Sequence, residues 1–583
     1  MSSPPQSYAF GSFRLIPSEK QLLRDGEVVP LAPKAFDTLL LLVENQGRLV
    51  EKDVFLKRVW PDSIVEEVAL AHGISQLRKA LRDGPEESNF IETVPKRGYR
   101  FIAPVQATGR QTPESRPPGV TLAVLPFENL GAGDDREYLA DGLTEEVIAS
   151  LGQVDPEHLR VIGRTSMMAY KRTTKSLAGI GGELGAGFLL ESSMRAEGER
   201  LRITSKLIRA RDQVQIWSAS YDSAPGSVLE FQRDLSTTIT QQIRLRLSPE
   251  RLNALGRRYT RDVQAYDLYL RGRYFWNQLS SSGTRRAIEF YSRAVEIDPQ
   301  YALVWSGLAD AYASGPISGD ADPLRTGPLS RQATERAVAA EPNLAEVQSS
   351  LGLMKMWIDW DWPAAVRAFR SAISADPGYA LAHRTLGVLL SHMGCHSEAA
   401  VAAQRARELD PLHAGHYALS SQVAFNGRDY PAAAHMARQA TVLDPEFWVG
   451  HLQLAQAYEQ LGNHDLALEE LQHAWRFSSG NSKVLALRGY ILARLGRIAE
   501  ANEVLQALDV IPSHRYVPPY AAALVHAGLG HAGQSIEGLE RAFELRDVHL
   551  VFLPVDPKWD NLRADSRFQA IIEHCGFSPL PQC

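Results

Sequence analysis

A chain of 583 residues is too long for one core, and 44% hydrophobic with 22% charged residues fits several soluble globular units. The net charge of −6 leaves nucleic-acid binding only to a local basic patch. Cys395, Cys575 and Cys583 lie far apart without metal-ligand spacing, which excludes a cysteine-rich zinc site and a disulfide framework and fits a reducing compartment. MSSPPQSYAFGSFRL shows no signal-peptide pattern, and no window of about eighteen apolar residues occurs, so a cytoplasmic protein without a membrane span is expected.

Residues 8–32 read as short strands turning at Pro17-Ser18 and Asp25-Gly26, the second a hairpin signal. PKAFDTLLLLVENQG predicts a helix with Pro33 at its first position and Gly47 after its last turn. Phe36, Leu39, Leu40 and Val43 recur along it at helical spacing. A second helix, EKDVFLKRVW, stops before Pro61. The third, EEVALAHGISQLRKALRDG, puts Leu70, Ile74, Leu77 and Leu81 on one stripe. His72, Ser75, Gln76, Arg78, Lys79 and Arg82 lie on its other faces. A hairpin, IETVPKRGYRF, brings Lys96, Arg97 and Arg100 to a glycine turn.

Strands, three helices and a terminal hairpin make a winged helix. Its polar-basic third helix fits the major groove, which is about 12 Å wide. Cations on helix and hairpin would supply sequence-independent binding, and polar side chains the base readout. Residues 1–105 hold 14 Lys and Arg against 14 Asp and Glu, so composition leaves open both a solvated face and a DNA-binding face. Tyr99 and Phe101 are expected to pack the wing onto the third helix.

LAPKAFDTLLLLVENQGRLVEKDVFLKRVWPDSIVEEVALAHGISQLRKALRD and IETVPKRGYRFIAPV resemble the OmpR/PhoB-type winged helix, in the version carried by CadC- and HilA-like regulators. The resemblance implies that the third helix enters the major groove and that the hairpin is the wing. By position it places His72, Ser75, Gln76 and Arg78 against DNA, with Lys79 and Arg82 beside them. It puts Thr93 on phosphate, Lys96 and Arg97 at the wing tip, and Arg100 on the backbone. Many relatives carry more arginine where this chain has Ser75 and Gln76, which bears on the site recognised.

QATGRQTPESRPPG reads as a flexible tether, residues 106–119. Residues 120–250 alternate strands and helices and predict a small α/β domain with one mixed sheet. GIGGELGAG is not a dinucleotide loop, because it follows no strand; Gly185 reads as a helix C-cap. LAVLPFENL, YLADGLTEEVIASL and GFLLESSMRAEGERLRITSKLI resemble the TolB N-terminal-like, or FlgO-like, domain of bacterial regulators. That resemblance implies an interaction or sensing module and transfers no catalytic residue.

Beyond residue 260, acid-proline pairs place Pro299, Pro342, Pro377, Pro411 and Pro445 at intervals of 43, 35, 34 and 34 residues. A 34-residue period with two helices per repeat is the tetratricopeptide signature. About eight repeats are expected over 260–548, followed by a closing segment, 549–583. The 43-residue interval marks an insertion within ASGPISGDADPLRTGP, and the 35-residue interval one extra residue near WIDWDWPAA. Gly394, Ala399 and Ala406 match Gly462, Ala467 and Ala474, small residues where helices cross closely. The histidines of the array form no H-E-x-x-H or similar motif and read as surface or inter-repeat residues. Trp357, Trp360 and Trp362 read as inter-helix packing.

The fold expected is therefore multidomain α+β: an N-terminal winged helix, a small α/β domain and an all-α tetratricopeptide superhelix. The function expected is a non-enzymatic transcriptional regulator on double-stranded promoter DNA. A protein partner or peptide would occupy the repeat groove, RNA polymerase is a further candidate partner, and no metal or cofactor is called for. The alternative is a repeat scaffold whose winged helix docks protein.

Overall fold

The computed structural model describes residues 7–10, 13–16, 21–24, 27–29, 31, 33–47, 49–59, 67–81, 90–94, 97–103, 106–108, 120–131, 136–156, 158–197, 200–223, 228–243, 260, 262–277, 281–319, 321–511 and 516–577. They fall into two compact units, 1–118 and 119–583.

In the first unit, β1 (Ser7–Phe10), β2 (Phe13–Ile16), β3 (Gln21–Arg24) and β4 (Glu27–Val29) form an antiparallel meander. Next come α1 (Pro33–Glu44), β5 (Leu49–Glu51), α2 (Lys52–Val59), α3 (Glu67–Leu81) and the hairpin β6 (Ile91–Val94) and β7 (Gly98–Phe101). The predicted stripe is the core: Phe36, Leu39, Val43, Leu70, Ile74, Leu77 and Leu81 are all buried.

Two expectations need correction here. Residues 106–108 are strand β8 (Gln106–Thr108), paired antiparallel with β1, and not tether. Gln-Ala-Thr carries no apolar alternation; the strand is set by backbone groups completing the sheet edge beside β1. Glu51 belongs to β5 rather than to the second helix, and β5 pairs with β7 to widen the hairpin into a three-stranded sheet. Gly98 permits that pairing, because a Cβ there would lie 2.0 Å from the Val50 carbonyl oxygen.

The second unit opens with a mixed sheet in the order β11-β9-β12-β13-β14. Its strands are β9 (Val120–Val124), β10 (Glu128–Asn129), β11 (Leu159–Val161), β12 (Phe188–Glu197), β13 (Arg200–Arg209) and β14 (Val214–Ser223). The short β10 pairs with β12 off the main path. Period-2 alternation splits the core. Leu122 and Val124 face α4 (Glu137–Val154) and α7 (Val228–Gln242), while Ala123 faces α5 (Arg164–Met168) and α6 (Leu177–Leu184). Gly185, at φ 61°, closes α6, and a Cβ on Gly181 would meet Ala210 at 2.5 Å. The glycine run is therefore a helix packed on the sheet.

Eight helix pairs follow among the described residues: Val263–Trp276 with Ser281–Ile297, Ala302–Gly319 with Pro323–Ala340, Ala345–Met354 with Trp362–Ala375, Ala380–His392 with His396–Leu409, Ala414–Asn426 with Tyr430–Leu443, Trp448–Gln460 with His464–Phe477, Ser482–Arg494 with Ile498–Asp509, and Pro519–Gly528 with Ala532–Glu544. The second pair absorbs its insertion by lengthening both helices to 18 residues. The extra residue of the third pair makes the π turn Lys355–Asp359. Ala399, Ala406, Ala467 and Ala474 are buried at the crossings, as small residues there require. Gly394 and Gly462 do something else: at φ 82° and 78° they make the turn inside each pair.

The α/β layer packs directly on this array. Tyr266 of the first helix Val263–Trp276 donates to Glu146 of α4 at 2.5 Å, and Asn277 donates to Glu145 at 3.1 Å. Arg273 of the same helix pairs with Glu145. On the other flank, Gly163 N donates to the Leu409 carbonyl at 2.8 Å and Leu412 N to Ser166 Oγ at 2.8 Å. In the closing segment, Val548–Phe552 and Pro557–Leu562 turn back onto the first helices of later pairs, with Phe552 against His392 and Lys558 near Gln456, while Ser566–His574 packs on Ala532–Glu544 through Arg567 and Glu540. Trp559 is fully buried there, its indole N–H donating to the Tyr520 hydroxyl at 3.0 Å. Lys558 sits 4.7 Å from the Phe425 ring centroid.

Candidate nucleic-acid interface

The buried stripe of α3 fixes its outer face. Ala71, Ser75, Gln76 and Lys79 are exposed in consecutive turns, at the spacing that follows from Leu70, Ile74 and Leu77 facing inward. His72 lies on the same helix by its backbone. Arg82 and Lys96 lie outside the described residues.

Arg78 does not face outward. Its Nη2 donates to the Ile91 carbonyl and to Thr93 Oγ1, both at 2.8 Å. The side chain that sequence position sets against DNA instead clamps the helix to the hairpin. Thr93 is exposed, and because its oxygen accepts from Arg78, its own O–H remains a donor suited to a phosphate.

In the hairpin, Glu92 pairs across the strands with Arg100, Nη1 to Oε2 at 2.9 Å. Arg97 sits at the turn, 66% exposed by side chain and 3.9 Å from Glu51. A pair that open contributes little and yields readily to a phosphate. Tyr99 meets Phe55 of α2 edge-on at 6.0 Å, and Phe101 meets Phe10 at 5.1 Å. Both rings pack the wing, as expected, but onto the second helix and the meander; their ring partners are Phe55, Phe10 and Phe90.

Glu51 and Glu92, which temper two of the cations, were not singled out from sequence. Only strand register brings them to the arginines, and the sole local signal is their place in short β-branched runs. Exposed are thus Ser75, Gln76 and Lys79 on α3 and Arg97 at the hairpin turn. That combination suits base-edge hydrogen bonding flanked by phosphate contact.

Comparison with known proteins agrees segment by segment. Residues 26–101 match the family described as transcriptional regulatory protein, C terminal. Residues 119–240 match the HilA/YgeH-like transcriptional regulator, second domain, and residues 450–477 the tetratricopeptide repeat. The transcriptional regulator HilA of Salmonella typhi is 24% identical over 353 residues, 60% of this chain and 61% of that protein. "Putative adenylate cyclase 3" of Rhizobium meliloti (strain 1021) is 33% identical over 207 residues, 35% of this chain and 33% of that protein. The chain thus spans between a third and about three fifths of the length of these two relatives. Among solved structures, the DNA-binding domain of Escherichia coli CadC is 34% identical, covering 18% of this chain and 99% of that one, with a TM-score of 0.17. The chain is CadC/HilA-like in its winged helix and second domain and carries tetratricopeptide repeats after them. No described helix is long and apolar enough to cross a membrane.

Proposed function

We propose that this CadC/HilA-like chain is a cytoplasmic, sequence-specific DNA-binding transcriptional regulator. In this reading α3 enters the major groove of promoter DNA through Ser75, Gln76 and Lys79, with His72 of the same helix and Arg82, next in sequence after it, as further contacts. Thr93, Lys96, Arg97 and Arg100 meet the backbone. The α/β layer and the repeats receive a signal or recruit a protein, RNA polymerase among the candidates, and no enzymatic step is required. The observation that carries the reading is the Arg78 clamp, which fixes the exposed face of α3 and the wing as one surface within a compact unit.

The test is a gel shift of residues 1–118 and of the full chain on the protein's own upstream DNA, with a salt titration. Binding that strengthens as salt falls, and that prefers one segment over random duplex, is expected. A folded fragment indifferent to every duplex offered at low salt defeats the reading. The scaffold alternative would then stand, consistent with the zero net charge of residues 1–105. A partner in the repeat groove would meet the chain's own closing segment on the first helices of the later pairs, so recruitment there requires displacing it.

A further inference from the structure

The histidines of the array are scattered in sequence, yet the fold gathers two of them with a carboxylate. Asp410, His413 and His416 each offer one ligand atom, and these atoms lie within 4.8 Å of one another. All three belong to D-P-L-H-A-G-H, the loop leading into the helix Ala414–Asn426. Their spacing of three residues through a helix N-terminus brings the two rings side by side, centroids 4.2 Å apart and tilted by 30°.

Each group is in a state suited to ligation. His416 is 2% exposed, and neither ring nitrogen finds a hydrogen-bond partner among the described residues. Two orphaned nitrogens on a buried ring leave desolvated polarity without compensation. His413 uses Nδ1 to accept from Gly415 N at 3.0 Å, which leaves Nε2 for another partner. Asp410 takes Ser166 N at 2.7 Å and the Ser166 hydroxyl on Oδ1, while Thr165 N reaches its Oδ2 at 3.3 Å and the Thr165 side chain also bonds the carboxylate.

We propose that Asp410, His413 and His416 form a site for one divalent transition-metal ion of the zinc class. Two imidazoles and a carboxylate leave a fourth, open position. Arg384 lies near both histidines and Arg407 near His416. Their positive charge disfavours a hard ion such as Mg2+ or Ca2+, whose binding rests on charge alone, and leaves an ion that bonds well to imidazole. The site also sits where the α/β layer meets the array, because Asp410 caps α5 through Ser166. Metal would thus rigidify that seam.

The experiment titrates Zn2+ into the chelator-treated full chain by calorimetry, with metal content measured after dialysis. It compares His413→Asn and His416→Leu. Asn keeps an oxygen to cap Gly415 N, and Leu replaces a ring whose nitrogens have no partner, so both variants should melt with the chelated wild type. Expected is about one Zn2+ per chain, with binding weakened about 100-fold or more in each variant. Zn2+ should raise the melting temperature of the wild type alone. Absence of stoichiometric uptake, or uptake unchanged in both variants, overturns the site.

Discussion

Arg97 and Gln76 would contribute to DNA binding in different ways, and their substitutions should separate cleanly. Arg97 is an exposed charge that lies 3.9 Å from Glu51. Arg97→Ala should weaken binding to every sequence and flatten the dependence of log K on log salt by about one unit. Gln76 is exposed on α3 with an amide that can pair bidentately with adenine. Gln76→Ala should cost about 1–3 kcal/mol on the preferred site and little on random DNA. Competition gel shifts over a salt series read both, and a uniform loss for Gln76→Ala would remove it from base readout. At this scale the sequence told which face of α3 is polar, since Leu70, Ile74 and Leu77 announce the buried stripe. It did not tell that Arg78 turns into the hairpin. Its partners, the Ile91 carbonyl and Thr93, are 13 and 15 residues away, and only closure of the hairpin presents them.

The turns inside the repeat pairs show what the 34-residue period conceals. Trp360, Gly394, Arg428, Gly462, Gly496 and Gly530 stand one period apart, and all have left-handed backbone, φ from 58° to 82°. Four are glycine, as the conformation prefers. The two exceptions make side-chain contacts that glycine could not, Arg428 with the closing segment and Trp360 with the end of the eighth pair. Arg428 binds Asp560 through two hydrogen bonds of 2.6 and 2.8 Å. Trp360 carries Arg546 over its ring at 3.9 Å and lies 5.8 Å from Phe543. The period itself was readable from proline spacing, and so was the third repeat's extra residue; that it becomes a π turn depends on tertiary packing around Trp357 and Trp360. Arg428→Gly should relax the turn by about 1 kcal/mol and lose a half-exposed ion pair of about 0.2–1 kcal/mol. Global stability should therefore stay nearly level while amide exchange over Pro557–Leu562 quickens. A large fall in melting temperature with unchanged exchange there would refute the division of roles.

On the scale of the molecule, the α/β layer and the array share a half-buried electrostatic contact that a linear reading separates by more than a hundred residues. Arg273 of the first repeat helix pairs with Glu145 of α4, and Arg164 approaches the same carboxylate at 3.2 Å. Burial pushes the Glu145 carboxyl up, but Arg273 and Arg164 outweigh that and hold it below the usual carboxylate range. A depressed carboxyl stabilises the folded state above the unfolded pKa, and that contribution is lost as pH falls through the folded one. Glu145→Leu leaves Arg273 and Arg164 without their shared carboxylate, and Arg273→Met leaves Glu145 with Arg164 alone. Each should cost about 3 kcal/mol, the low end for a broken buried pair, because the side chains remain 20% and 26% exposed. The double substitution should recover part of this, since it removes the desolvation costs of Glu145 and Arg273 while Arg164 keeps only Asp141 at 3.9 Å. Urea denaturation of the four chains gives the coupling, which should hold steady from about pH 8 to 5 and shrink below about pH 4. Exchange measured over Glu137–Val154 and Val263–Trp276 should rise together in the single variants, because the two helices lose the same contact. Single variants as stable as the wild type, or a coupling that survives to about pH 3, would mean that the layer and the array are held by apolar packing, with Gly142 against Leu270 as the contact to probe next.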